Sequence, residues 1–161
     1  MLDWLTNTDY AVWVRESWGW PFALTLHAFG NGTVIGLAFI IALRMFGLFR
    51  SIPLNTINKL IPVMWIAVVV QVYSGFSLFM TKPVKYLSDG LFQWKLILVV
   101  TGIVVTAYFQ SITRREAAGW DKAHTITSSR AVMIGTIAAL VWAGVLVAGR
   151  LTAYLGQLYH A

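Results

Sequence analysis

The chain has 161 residues, of which 58% are hydrophobic and 11% are charged, and its mean hydropathy is +0.72. A soluble domain carries about 25% charged residues, so this composition excludes an ordinary soluble protein and predicts a chain dissolved in lipid. The lack of cysteine excludes disulfides, iron–sulfur clusters and thiol catalysis. We attribute the net charge of +6 to basic residues that orient a membrane protein rather than to nucleic-acid binding, because these residues lie at the ends of apolar runs.

The first 20 residues predict a helix that lies on the membrane surface. They contain four tryptophans, whose rings prefer the headgroup layer. Between about residues 9 and 18, the helical period places Tyr10, Trp13 and Val14 on one face, as in an interfacial amphipathic helix. The opening MLDWLTNTDY lacks a basic segment followed by an apolar run, so we expect no cleavable signal there.

Four apolar segments follow, each with the roughly 20 residues that a transmembrane helix needs. The predicted spans are residues 21–43, 60–80, 92–112 and 131–153, separated by short loops with glycine, proline and basic residues. The sequence therefore predicts an all-α fold: one transmembrane domain over residues 1–161, built as an integral membrane four-helix bundle with an N-terminal interfacial helix.

Small residues in two of the spans predict close helix packing. Gly32 and Gly36 form a GxxxG pair in the first span. Gly135, Ala139 and Ala143 recur every four residues in the fourth. Both patterns let a neighbouring helix approach closely, but neither identifies the partner.

The distribution of lysine and arginine predicts the orientation. Seven of the twelve bases lie in the first and third loops: Arg44, Arg50, Lys59, Arg114, Arg115, Lys122 and Arg130. Cytoplasmic loops carry the excess of bases, so we expect these loops in the cytoplasm of a bacterial inner membrane and both termini in the periplasm.

His27 is the candidate functional residue, because it is an imidazole inside an apolar span. It lies about seven residues, or about 9–10 Å, below the predicted outer boundary. Lys95 and Arg150 lie near the outer ends of the third and fourth spans, and Ser74 of the second span has a similar depth. Ionisable groups at membrane depth are costly and usually face the bundle interior.

One hypothesis for His27 is a haem b site. Neutral imidazole is a good axial ligand for haem iron. Gly30, one turn further along, would leave flat space for the porphyrin, and Lys95 and Arg150 would pair with its propionates. The spans contain no second histidine, which leaves a five-coordinate iron, Met80, the C-terminal His160 or another subunit as the alternatives.

The alternative is a structural role for His27, in which it hydrogen-bonds Ser74, Asn31 or a backbone carbonyl of a neighbouring helix. Lys95 and Arg150 would then be anchors that extend to the interface. His124 is expected to be a solvated loop residue, about 30 Å from His27 across the bilayer. The methionine spacing indicates no copper site, and no hydrolase or nucleotide-binding motif is present.

Most of the chain up to about residue 98 resembles a family of small bacterial four-span membrane proteins of uncharacterised function. The resemblance is carried by LHAFG in the first span, by SGFSLFMTKPVKY and by FQWKL. More distantly, the architecture is similar to copper-resistance D-type proteins and b-type cytochromes. Thr25 departs from the family, which often has an acid there. The residues that the resemblance marks are His27, Gly30, Arg44, Ser74, Gly75, Pro83, Tyr86 and Lys95.

Two functional hypotheses follow. The first is an accessory or scaffold subunit of a larger membrane complex of respiratory or other electron transfer, which docks onto other membrane subunits or a second copy of the chain. The second is a redox subunit in which His27 holds haem b or contacts a quinone. We take the accessory role as the main hypothesis. A transporter is disfavoured, since we see no polar run along any span.

Overall fold

The computed structural model describes residues 2–49, 51–123 and 129–158, and these form eight helices with no strand. The helices are α1 Asp3–Thr6, α2 Asp9–Glu16, α3 Gly19–Met45, α4 Leu54–Asn58, α5 Ile61–Thr81, α6 Pro83–Ser88, α7 Gly90–Ala123 and α8 Ser129–Leu158.

Four of these helices, α3, α5, α7 and α8, are long and apolar enough to cross a membrane. The apolar stretches are Gly19–Met45, Asn55–Thr81, Gly90–Arg115 and Val132–Thr152, with mean hydropathies of 1.8 to 2.2. The predicted all-α, four-helix membrane fold is therefore confirmed, and the chain is a multi-pass membrane protein. α3 packs between α5 and α8, and α7 packs along α8.

All three predicted loops contain helix, because α4, α6 and the last turns of α7 fall within them. The third loop was expected over residues 113–130, but α7 continues to Ala123. The segment TRREAAGWDKA is rich in helix formers and has no proline, so the helix continues past the apolar stretch. In the second loop, Pro83 begins α6, as suits a residue without a backbone N–H. The Asp89 side chain accepts from Leu91 N at 2.9 Å at the start of α7.

Trp142 of α8 forms the centre of the contact between α7 and α8. Its side chain is 1% exposed, and its indole N–H donates to Thr106 Oγ1 at 3.0 Å, which satisfies the buried donor. The ring lies flat against Gly102, where an added Cβ would come 2.9 Å from Trp142 Cε2. The absence of a side chain at Gly102 is therefore what lets the indole fit between the two helices.

The two small-residue patterns have different environments. In α8, Gly135 contacts Met45 and Phe109, and Ala139 is buried, so this stripe packs inside the bundle. At Gly32 and Gly36 of α3, an added Cβ would meet no atom of the described residues within 4 Å. The GxxxG pair thus lies on the outer surface of the bundle.

The short helix α2 is docked onto α3 and α5. Ala11 and Val14 are fully buried, whereas Trp13, which was expected on the same face as Val14, is 46% exposed. The chain turns back so tightly that a Cβ at Gly19 would lie 2.6 Å from Val14 Cα. The Tyr10 hydroxyl lies 2.7 Å from Ser77 Oγ of α5. These contacts hold α2 against the end of the bundle.

An aromatic cluster joins α5, α6 and α7 near the same end. Phe79 and Phe92 stack with centroids 5.9 Å apart, and Tyr86 lies 5.2 Å from Phe92. Burial raises the pKa of the Tyr86 phenol above its ordinary value. At the opposite end, Trp65 Nε1 donates to Gln110 Oε1 at 3.0 Å. Long side chains at both ends therefore link α5 and α7.

Candidate functional site

His27 lies at the contact between α3 and α5. Its Nδ1 is 3.1 Å from Ser74 Oγ and 3.2 Å from the backbone oxygen of Gln71. The imidazole rests on Gly75, where an added Cβ would come 3.2 Å from His27 Cε1. The ring therefore points into the bundle, and Gly75 provides the space for it.

The partners of Nδ1 select one tautomer of the imidazole. Ser74 Oγ lies 2.7 Å from the Val70 carbonyl, to which its only proton is donated. The Gln71 carbonyl can only accept. Nδ1 must therefore carry the proton in a neutral ring, and the Nε2 lone pair is left as an acceptor.

Lys95 of α7 supplies the group that faces Nε2. Its ammonium nitrogen lies 3.4 Å from His27 Nε2, and the side chain is partly buried. The lysine stem passes over Gly149 of α8, where an added Cβ would lie 3.4 Å from both Cε and Nζ. Lysines near span ends usually extend to the interface. Here the side chain is instead directed at the imidazole.

The site lies within two of the apolar helices, beyond their first turns. His27 is eight residues from the start of α3 and Lys95 five from the start of α7, or about 12 Å and about 8 Å along the axes. None of the four apolar stretches contains aspartate or glutamate. Lys95 therefore has no carboxylate partner within the spans.

A second polar pair lies one turn deeper on the same two helices. Gln71 Nε2 donates to Asn31 Oδ1 at 3.2 Å. Gln71 is 5% exposed, and within the described part of the chain its Oε1 has no hydrogen-bond partner. An unsatisfied buried polar atom costs about 1–3 kcal/mol.

A buried polar stripe on α5 was not predicted from the sequence. Gln71, Ser74, Ser77 and Thr81 are each at most 5% exposed. Their spacing of three, three and four residues places them on one helix face, and this spacing was readable in the sequence. The three hydroxyls donate to carbonyls of their own helix, which makes them compatible with an apolar bundle.

The structure brings together two of the predicted site residues, His27 and Lys95. Arg150 is exposed on α8, and its neighbour Gly149 is the residue that contacts Lys95. Gly30 does not border open space. A Cβ there would lie 3.0 Å from the Ala67 carbonyl oxygen and about as close to Gln71, so the backbone of α5 fills the volume that was expected to receive a porphyrin.

Met80, the candidate second haem ligand that the structure describes, is not at the site. Met80 is buried six residues beyond Ser74, or about 9 Å along α5. His124 and His160 lie outside the described residues. Across the described part of the chain, no three His, Asp or Glu side chains come together in a way that would hold a metal ion.

No family model matches this chain, and neither a curated protein nor a solved structure is similar to it. The resemblance to four-span bacterial proteins stays a prediction. The geometry around His27 is therefore the main evidence for a function of this chain.

Proposed function

We propose that this protein is an accessory integral membrane subunit of an electron-transfer assembly, and that it binds the head group of a membrane quinone at His27 and Lys95. The observation that carries the proposal is the 3.4 Å contact between Lys95 Nζ and His27 Nε2, within apolar spans that contain no acid. A lysine at membrane depth without an anionic partner is costly, and such residues usually serve a ligand or a transport path.

The chemistry of Lys95 defines the kind of ligand. An ammonium group has three N–H donors, and among the described residues His27 Nε2 is the acceptor that Lys95 reaches. The remaining donors suit an electron-rich oxygen. The oxygen must belong to a molecule that reaches about 8–12 Å below the helix ends, which favours a lipid-soluble carbonyl compound over a headgroup phosphate.

An accessory role fits the rest of the chain. Gly32 and Gly36 form an exposed, close-approach surface on α3, suited to a helix of a partner subunit or of a second copy. We further propose a bacterial inner membrane with both termini in the periplasm, as the excess of bases in the first and third loops indicates.

Haem b at His27 is the second candidate. A hydrogen bond from Nδ1 to a backbone carbonyl is the arrangement that orients metal-binding histidines, and His27 has it. The surroundings fit less well, because Lys95 Nζ faces Nε2, where iron would bind, and Gly30 is packed on α5. We therefore rank quinone contact above haem ligation.

The test is to purify the protein in mild detergent from membranes and to quantify co-purified quinone after solvent extraction. We expect quinone with the wild-type protein and a loss of most of it in Lys95→Met and His27→Phe. Lys85→Met, which removes an exposed lysine of α6, is the matched control and should retain it. Quinone retained by all variants would contradict the proposal. A Soret band that disappears in His27→Phe would favour haem instead.

A further inference from the structure

Positive charge is concentrated at the end of the bundle opposite to His27. The first and third predicted loops together contain seven bases and two acids. The acids whose side chains the structure describes lie at the other end, in α2 and directly before α7. The bases whose side chains it describes at the charged end are Arg44, Lys59, Arg114, Arg115 and Arg130. An end with this balance of charge attracts an anionic partner.

Tyr108 of α7 positions the guanidinium of Arg130, the second residue of α8. The guanidinium carbon lies 5.6 Å from the centre of the tyrosine ring, and Nη2 donates to the tyrosine hydroxyl. Arg130 is exposed, and a guanidinium has five N–H groups, so further donors are available to a ligand. The apolar stretch of α8 begins at Val132. The remaining donors of Arg130 therefore lie at the boundary of the apolar layer.

Arg115 of α7 adds a second guanidinium on the same side of the bundle. It ends the apolar stretch of α7 and is exposed. Seven residues, or about two helical turns, separate it from Tyr108, so both lie on one face of α7. Because α7 and α8 are antiparallel and Gly135 packs on Phe109, Arg130 lies about level with the end of this apolar stretch. Two arginine side chains thus flank one point of the boundary.

An exposed apolar surface continues from the two arginines toward the middle of the bundle. Four side chains follow Tyr108 and Arg130 at helical spacing on the same faces of α7 and α8, and each is at least 41% exposed: Ile97, Val104, Met133 and Ile137. A phospholipid contacts both surfaces at once, with its headgroup at the arginines and its acyl chains along these side chains. A soluble anion contacts the arginines alone.

We propose that Arg115 and Arg130 bind the headgroup of an anionic phospholipid, whose acyl chains lie along the exposed faces of α7 and α8. The guanidinium fork matches the oxygens of a phosphate, and two such groups favour a headgroup with a net negative charge. A phosphatidylcholine headgroup has the same phosphate, but its quaternary ammonium would lie near the guanidiniums and weaken the attraction. This lipid site is independent of the proposed quinone site, which lies at the other end of the bundle.

The experiment is native mass spectrometry of the purified, delipidated full chain in detergent, titrated with phosphatidylglycerol and with phosphatidylcholine of the same acyl chains. We expect the first phosphatidylglycerol to bind about tenfold more tightly than the first phosphatidylcholine. Arg115→Gln/Arg130→Gln should bring this ratio close to one with an unchanged thermal midpoint. Arg115→Lys/Arg130→Lys keeps both charges and should retain a preference for phosphatidylglycerol. A preference retained by the glutamine variant, or abolished in the lysine variant, would overturn the proposal.

Lys82→Gln/Lys85→Gln is the matched control for net charge, because it removes two exposed bases at the other end of the bundle. It should keep the wild-type ratio. Glycerophosphoglycerol, which is the headgroup without acyl chains, is the probe for a soluble anion and should bind far more weakly than the lipid. The proposal would be overturned by equal wild-type affinities for the two lipids, by an equal loss of preference in the control, or by a headgroup that binds as tightly as the lipid.

Discussion

Gly149 leaves the space through which the Lys95 side chain reaches the His27 imidazole. Substitution of Gly149 should therefore change ligand binding at the site with little effect on the stability of the fold. In Gly149→Ala the new Cβ would lie 3.4 Å from Lys95 Cε and Nζ, close to an ordinary van der Waals contact, and the flexible stem can accommodate it. In Gly149→Leu the added carbons occupy the volume of the lysine stem. The ammonium group must then turn away from His27 and extend about 8 Å to the interface.

The expected loss of ligand affinity in Gly149→Leu follows from the hydrogen bond that the ligand can no longer accept from Lys95. A hydrogen bond to a charged group contributes about 1.5–3 kcal/mol, which corresponds to roughly 10- to 150-fold in affinity. The direct contact between Lys95 and His27 is a long one and contributes less, about 0.6 kcal/mol as for other hydrogen bonds between membrane helices. We therefore expect a large loss of binding in Gly149→Leu with a small change in stability.

The assay is a calorimetric titration of the purified protein in detergent with a short-tail benzoquinone as the soluble quinone, together with the thermal midpoint of unfolding in the same detergent. Gly149→Ala should bind as the wild type does, and Gly149→Leu should bind at least tenfold more weakly. Gly90→Leu is the matched control, because it adds the same side chain at an exposed glycine where an added Cβ would meet no atom of the described residues within 4 Å. If Gly149→Leu binds with wild-type affinity, the assignment of Lys95 to the site is refuted.

Two further predictions concern the fold that positions the site. Gly102→Ala would place a methyl carbon 2.9 Å from the buried Trp142 ring. This overpacking should lower the free energy of unfolding by about 1–3 kcal/mol, which is measured as a lower thermal midpoint. An unchanged midpoint would contradict the packing described for α7 and α8. Tyr10→Phe removes the hydroxyl that is hydrogen-bonded to Ser77 and should lower the stability of the docked α2 by about 1 kcal/mol. The amide hydrogens of α2 should then exchange faster, while those of α5 should not. An unchanged exchange rate in α2 would show that this hydrogen bond does not hold α2 against the bundle.

The membrane fold was predictable because it depends on composition more than on detail. A charged fraction of 11% and four apolar stretches of sufficient length leave few alternatives to a helical bundle in lipid. The depth of His27 followed in the same way, since depth is a count of residues from the span end. That count also placed Ser74 near it, and the structure has the two residues in contact.

The helical phase could not be read from the sequence. α3 is apolar on nearly every face, so its composition does not indicate which residues point inward. Gly30 was expected beside open space and lies against α5, and Gly149, which was not among the predicted site residues, is the residue of α8 that lies against Lys95. A shift of one residue rotates a side chain by about 100°, and only packing against the other helices determines that angle.

The polar stripe of α5 was overlooked for a related reason. Ser74, Ser77 and Thr81 satisfy their hydroxyls within their own helix, so they interrupt the apolar run little and do not stand out in hydropathy. Gln71 became significant only when its buried oxygen was found without a partner in the described part of the chain. A search for polar residues at spacings of three and four would have located this face.

The most direct test of the central claim is nitrogen NMR of the protein labelled with 15N-histidine, with the His27 signals assigned from His27→Phe. The account predicts a neutral ring with the proton on Nδ1 and an unprotonated Nε2 whose shift changes in Lys95→Met and remains unchanged in Lys85→Met. A ring protonated on Nε2, or an Nε2 signal that does not respond to Lys95→Met, would contradict the arrangement on which the proposed function depends.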